Sequence, residues 1–357
     1  RFLDAVAGIA TCCLGHSDRA MRRALSRQLG RLQHVSNLYN IPEQEELASW
    51  IVQHSCGDSV FFCKSGAEAN EAAIKLARLK GNNQGLKTPR IIVVEGSFHG
   101  RTMATLTATG SRKAHAGFEP LLSGFVRAPF NDILAIEKIA ENDPNVVGIL
   151  VEPILGEGGI YIPDPDYLSG LRRICDDHNW LLILDEVQSG NARTGKYFAF
   201  QHSEILPDVL TTAKGLGNGM PIGACLASGE AATLFAPGNH GSTFGGNLLA
   251  CAAAHAVLDI IQRDEVEACA EALGERIVQG FKSALAGNNQ VKEIRGKGLM
   301  LAVEMHHDIP DFTTQALQAG LLINVTQGNI VRMLPPLTMT EDEADELVEK
   351  VSGLLNA

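Results

Sequence analysis

The sequence predicts an α/β protein built on a wound, mostly parallel sheet, with a smaller α+β domain at its C-terminal end. Three observations carry that expectation. Short apolar runs alternate with helical patterns along the first two thirds of the chain, and five of those runs stop at polar or glycine-bearing turns. After Gly246 the text changes to two long helical patterns followed by strand-like pieces. At roughly 150 residues per domain, 357 residues make about two domains. We expect an N-terminal segment over 1–36, a large domain over 37–256 and a small domain over 257–357.

Taken in order, Arg19 to Leu32 reads as a basic helix whose arginines form a solvated face. Ser59 to Cys63 is a strand that stops at Lys64-Ser65-Gly66-Ala67, and strong helix formers follow from Glu68 to Leu79. Arg90 to Val94 is an apolar strand ending at Glu95-Gly96-Ser97-Phe98-His99-Gly100-Arg101, and Val146 to Val151 is another, ending at Glu152-Pro153. Trp180 to Leu184 stops at Asp185-Glu186-Val187-Gln188, and Val209 to Ala213 stops at Lys214-Gly215. Helices are expected over Leu248 to Gln262 and Glu265 to Ala286, with strands near Leu299 to Glu304 and Ile330 to Leu334. Open α/β sheets bind ligands outside the carboxyl ends of their strands, so the five turns define where a site belongs.

Composition narrows the ligand. With 41 acidic against 30 basic residues the net charge is -11, which disfavours a nucleic-acid binder and asks any small anion to find local arginines. No apolar run approaches the ~20 residues of a membrane span. Eight cysteines without zinc-ribbon or redox spacing read as free thiols in a cytoplasmic protein, and no metal site is expected. The chain opens on Arg1, and further residues are expected upstream of it.

An aspartate closing the run Trp180 to Leu184 is costly unless a cation faces it. Gly190-Asn191-Ala192-Arg193-Thr194-Gly195-Lys196 mimics a nucleotide phosphate loop, but Tyr197 stands where a magnesium-binding hydroxyl belongs, and the segment opens no strand–loop–helix unit. A pyridine ring nitrogen is another possible partner, and Lys214, one strand further on, has the position a Schiff-base lysine requires. Alone, a lysine before glycine is an ordinary cap and a buried aspartate an ordinary structural group. Ser65-Gly66-Ala67 adds an anion site at a helix N-terminus, and Phe98 adds a flat surface at a neighbouring strand end. The loop Gly241-Ser242-Thr243-Phe244-Gly245-Gly246-Asn247 is of the kind that donates to phosphate.

The chain resembles the class III aminotransferases that use pyridoxal 5'-phosphate. The resemblance rests on Ser65 to Glu71, Phe98 to Arg101, Glu152 to Gly159, Asp185 to Gln188, Lys214 to Gly217, Gly241 to Asn247 and Arg332 to Pro336, and so spans nearly the whole sequence. It implies a type I pyridoxal-phosphate fold, a homodimer with active sites at its interface, and a few dozen family residues before Arg1. It makes Lys214 the residue that carries the cofactor and Asp185 the partner of the ring nitrogen. Gln188 contacts the ring hydroxyl, Phe98 and Val187 enclose the ring, and Ser65, Gly66 and Ala67 hold the phosphate, which Thr243 reaches from the neighbouring subunit. Arg101 and Arg332 become substrate carboxylate clamps, with Glu157 paired to Arg332 and Ser242 on the substrate side. The implied reaction passes a terminal amino group to 2-oxoglutarate, with N2-acetyl-L-ornithine the expected donor. Succinyldiaminopimelate, succinylornithine, ornithine and 4-aminobutyrate remain as alternatives, among which Asn37-Leu38-Tyr39 are expected to help choose. Asn191-Ala192, Gly328 and His16-Ser17-Asp18 depart from the family pattern without touching the cofactor residues.

Overall fold

In the computed structural model, which describes residues 1–357, alternation along each strand builds two apolar layers on one sheet. In chain order the strands are β1 (Leu3–Asp4), β2 (Ser59–Cys63), β3 (Arg90–Val94), β4 (Phe125–Ala128), β5 (Val146–Val151), β6 (Leu181–Asp185), β7 (Val209–Thr212), β8 (Gly223–Ala227), β9 (Val291–Lys297), β10 (Met300–Met305), β11 (Leu321–Leu322), β12 (Asn324–Thr326) and β13 (Ile330–Met333). Seven of them form the main sheet in the order β2-β8-β7-β6-β5-β3-β4. β8 runs antiparallel to both neighbours, and the other adjacent pairs are parallel. Ile91, Val93, Leu181 and Ile183 face one way, into a core shared with Ala73, Ile74 and Ala77 of the helix Gly66–Asn83. Ile92, Val94, Leu182 and Leu184 face the other, against the helices Tyr167–His178 and Leu248–Arg263. Strands buried on both faces explain why the sequence shows continuous apolar runs instead of a clean polar alternation.

The second sheet, β12-β13-β10-β9, is antiparallel and lies in the C-terminal part of the chain. The opening residues pack with it: β1 pairs with β11, and the N–H groups of Leu334 and Leu337 donate to the carbonyls of Ala5 and Cys13. The division drawn at 256/257 falls inside the unbroken helix Leu248–Arg263. The change of composition after Gly246 marks the start of that helix, which Asn247 caps by accepting from Ala250 N–H at 3.0 Å. Within the main sheet two strands, β4 and β8, carry no distinct signal, since Phe125–Ala128 is short and Gly223–Ala227 is small and mixed; outside it β1, β9, β11 and β12 carry none either.

The helix Val266–Ala284 crosses the β9–β10 turn through Gly274, where a Cβ would run into the carbonyl oxygen of Gly298. Backbone cannot step aside as a side-chain tip does. Gly274→Ala is therefore expected to cost about 1–3 kcal/mol through overpacking, read as a drop of several degrees in the thermal midpoint; an unchanged midpoint would show that the helix can slide.

Candidate active site

Parallel strands β2, β3, β5, β6 and β7 all deliver their carboxyl ends to one cavity of about 450 Å³. Its wall includes Ser65, Gly66 and Ala67 after β2, Phe98 and Arg101 after β3, Glu152 and Glu157 after β5, Asp185, Val187 and Gln188 at and beyond the end of β6, and Lys214 after β7. β8, running the other way, presents the residues before it, so Met220, Pro221 and Ile222 close the same space. Strand polarity alone thus gathers residues from 65 to 222.

Asp185 ends β6 at 3% exposure, and its hydrogen-bond partners are two N–H donors and a histidine ring. Oδ2 accepts from Asn70 Nδ2 at 2.7 Å and faces His99 Nδ1 at 2.8 Å, while Oδ1 accepts from the Val187 N–H at 3.0 Å. The parallel register sets Thr211 of β7 beside Asp185, and Thr211 Oγ1 donates to Asn70 Oδ1 at 2.7 Å, which fixes the carboxamide with its N–H groups toward the aspartate. The carboxylate is held in one orientation by these neighbours.

Lys214 begins the short 3-10 turn Lys214–Gly217 with φ at +43°, a left-handed conformation unusual for a lysine. Two features behind it hold that geometry. Asn191 Nδ2 donates to the Ala213 carbonyl at 3.2 Å and to Thr212 Oγ1 at 3.0 Å, and Cys13 Sγ donates to the Gly215 carbonyl at 3.2 Å. Asn191, a departure from the family pattern, therefore braces the strand end that carries Lys214. Burial pushes the Lys214 amine below its ordinary pKa, and the charges of Glu157, Glu152 and Asp185 oppose that shift without cancelling it.

The helix Gly66–Asn83 points its N-terminus into the cavity, and Ser65 caps it by accepting from Glu68 N–H at 3.2 Å. A Cβ on Gly66 would stand 2.6 Å from Val187 Cγ1, so only glycine lets the helix start this close to the β6 exit. Arg332 of β13 is 2% exposed and donates from one terminal nitrogen to Glu157 Oε1 at 2.7 Å and to the Gly156 carbonyl at 3.2 Å. Burial raises the Glu157 carboxyl, but Arg332, then Lys214 and Gln188, outweigh it, and the net pKa lies below the usual range. Arg101 stands over the Phe98 ring at 5.6 Å.

Gln188 Oε1 and His99 Nε2 are buried without a partner. An amine on a strand end, a buried carboxylate, a free helix N-terminus, aromatic and aliphatic walls and an unclaimed carbonyl acceptor together fit a flat, phosphorylated pyridine carbonyl compound. Ser242 and Thr243 lie outside this cavity's lining, and Thr243 is exposed. Asn70, His99, Thr211 and Glu152 were given no role by sequence reasoning. For Glu152 a signal existed, since it closes an apolar strand just as Asp185 does. The phosphate-loop look-alike is a turn tied down from inside: Glu186 accepts from Ala199 and Phe200 N–H, each at 2.8 Å, and Arg193 is buried against the carbonyls of Leu299 and Pro335.

Comparison with known proteins extends this picture. The family described as "Aminotransferase class-III" matches residues 1–355. The chain is 54% identical over 355 residues to an acetylornithine aminotransferase of Nitrosomonas europaea, covering 99% of this chain and 90% of that one. It is 50% identical, over the same shares, to acetylornithine aminotransferase 1 of Bordetella pertussis. Among solved structures, ornithine aminotransferase of Toxoplasma gondii superposes with a TM-score of 0.96 at 32% identity, covering 99% of this chain and 86% of that one. Acetylornithine aminotransferase of Elizabethkingia anophelis superposes with a TM-score of 0.88 at 36% identity, covering 99% and 89%.

Proposed function

Since this chain belongs to the class III aminotransferases, enzymes that depend on pyridoxal 5'-phosphate, we propose that it moves the terminal amino group of N2-acetyl-L-ornithine to 2-oxoglutarate, giving the semialdehyde and glutamate. The observation that carries this reading is the convergence of Lys214, Asp185 and Glu157 on one cavity, with Arg332 outside its lining but paired to Glu157 at 2.7 Å. The donor follows from relatives 46–54% identical that are acetylornithine aminotransferases.

Bound here, the cofactor supplies an electron sink and a carrier for the amino group. Lys214 would hold it covalently, and its Nζ, when free, would take and return the proton at the substrate carbon. Asp185 would face the ring nitrogen, and Gln188 would offer its free carbonyl to the ring hydroxyl. Phe98 and Val187 enclose the ring faces and exclude water, while Ser65, Gly66 and Ala67 hold the phosphate on backbone N–H groups. Thr243, exposed in one protomer, completes the phosphate site of a second copy, so the working unit is a homodimer. Ser242 adds a hydroxyl on the substrate side. No helix is long and apolar enough to cross a membrane and all eight cysteines are free, which supports a cytoplasmic enzyme.

Glu157 and Arg332 let one pocket take two unlike substrates. The donor presents its amine end to the reacting centre and leaves its carboxylate for Arg101, so a bare Arg332 there is a misplaced charge that Glu157 masks. When the acceptor brings a carboxylate close, Arg332 turns from Glu157 to make a charge-assisted pair with it. Glu157→Ala is expected to slow the half-reaction with acetylornithine by about tenfold and to leave the half-reaction with glutamate equal or faster. Equal losses in both halves would reduce the pair to a structural bridge. The reading as a whole is tested by steady-state rates with 2-oxoglutarate across acetylornithine, succinylornithine, succinyldiaminopimelate, ornithine and 4-aminobutyrate; it fails if acetylornithine is not among the best donors.

A further inference from the structure

The mechanism leaves one buried carboxylate of the cavity wall without work. Glu152 follows β5 at 5% exposure, and both of its oxygens are taken by backbone: Oε1 accepts from the Phe98 N–H at 2.8 Å and Oε2 from the Gly156 N–H at 2.9 Å. Those two amides belong to the exits of different strands. The first carries the Phe98 ring with Arg101 over it at 5.6 Å. The second carries the Gly156 carbonyl and the Glu157 carboxylate, both of which accept from Arg332. Gly156 also packs directly on Gln188, since a Cβ there would run into the Gln188 carboxamide. A displacement at Glu152 would therefore reach the ring wall, Gln188 and the hold on Arg332 at once.

The arrangement is costly to fold. Burial pushes the Glu152 carboxyl upward and the nearby Asp185 adds to that, while His99 and the two backbone amides oppose it. Neutral groups elsewhere in this protein make comparable ties between loops, as Asn191 does behind Lys214. A carboxylate is distinguished by offering two acceptors and no donor, which suits two N–H groups arriving from separate loops.

Resting on the aminotransferase reading, we propose that Glu152 is a positioning residue that locks the Phe98 backbone and the Gly156-Glu157 loop at one spacing, and so sets the orientation of the cofactor ring together with the fit of the acceptor carboxylate at Arg332. Its variants then carry a split signature. Glu152→Ala frees two buried amides, whereas Glu152→Gln keeps one acceptor and turns the other into a donor facing an N–H.

Three measurements test this. In cofactor-free protein, hydrogen exchange in the peptides holding Phe98 and Gly156 is expected to quicken in Glu152→Ala. In the holoenzyme the visible circular dichroism of the bound cofactor changes. In the separated half-reactions both rates fall, since both use the same ring, while the KM for 2-oxoglutarate rises about tenfold and that for acetylornithine changes less than about twofold. Formate, a free carboxylate small enough for the space left in Glu152→Ala, partly restores the dichroism and the acceptor KM, and chloride does not. Unchanged dichroism with unchanged acceptor KM, or equal KM changes in both half-reactions with only the thermal midpoint lowered, overturns the proposal. If the alanine variant does not fold, the glutamine variant decides on the same readouts. Should the wild-type enzyme not use 2-oxoglutarate, the functional reading falls, while exchange and dichroism still decide the clamp.

Discussion

Lys214→Ala is expected to abolish turnover, by about 10⁴-fold or more, because in the proposed mechanism one side chain both holds the cofactor and moves the proton at the reacting carbon. Burial lowers its amine pKa, so Lys214 is neutral and nucleophilic at pH values where a surface lysine is still charged. Its left-handed backbone and the bracing by Asn191 and Cys13 aim it from the end of β7. Lys64 also lines the cavity, but its ammonium is paired with Glu68 at 3.0 Å and stays half in solvent. Borohydride reduction of the holoenzyme followed by peptide mapping is expected to place the cofactor's mass on the Lys214 peptide in the wild type and on no peptide in the variant. A label on Lys64 or Lys196 would overturn the assignment.

What the sequence revealed and what it hid follow from the same physics. β2, β3 and β5 are legible to the residue because each is an apolar run cut off by glycine, proline or charge. β8 was missed because Gly223 and Ala224 give it little apolar weight, although it turns the sheet and seats Met220, Pro221 and Ile222 on the cavity. Asp185 and Lys214 announced themselves as charges at the ends of buried strands. Asn70 and Thr211 did not, since a polar residue inside a helix or a β-branched residue inside a strand is ordinary until strand register shows both meeting at one carboxylate. Arg332 could be named from the family pattern, but its tie to Asn324 at 3.1 Å and its place beside Gly156 depend on antiparallel pairing across β10, β12 and β13. Pairing of this kind is long-range information that no local window holds.

Asp185→Asn separates charge from shape. The substitution is isosteric, yet every neighbour of Asp185 was chosen for an acceptor: Asn70 Nδ2 donates, the Val187 N–H donates, and His99 presents Nδ1. An amide in that place turns one N–H toward a donor, which costs about 1–3 kcal/mol of stability for an unsatisfied buried group. The larger effect is on chemistry. A carboxylate beside a cation shifts a proton equilibrium by roughly 1–3 pK units, so removing it takes about 10- to 1,000-fold from the fraction of ring nitrogen that stays protonated and able to draw electrons from the substrate carbon. Turnover is therefore expected to fall by about 100-fold or more, within the range that electrostatic groups supply, while far-UV dichroism is retained and the thermal midpoint drops by a few degrees. The two losses are separable: a stability defect is offset by added cofactor and by lower temperature, and a lost charge is not. Turnover near that of the wild type in a folded, cofactor-loaded Asp185→Asn enzyme would sink the pairing of Asp185 with the ring nitrogen and leave the carboxylate a structural anchor for Asn70 and His99.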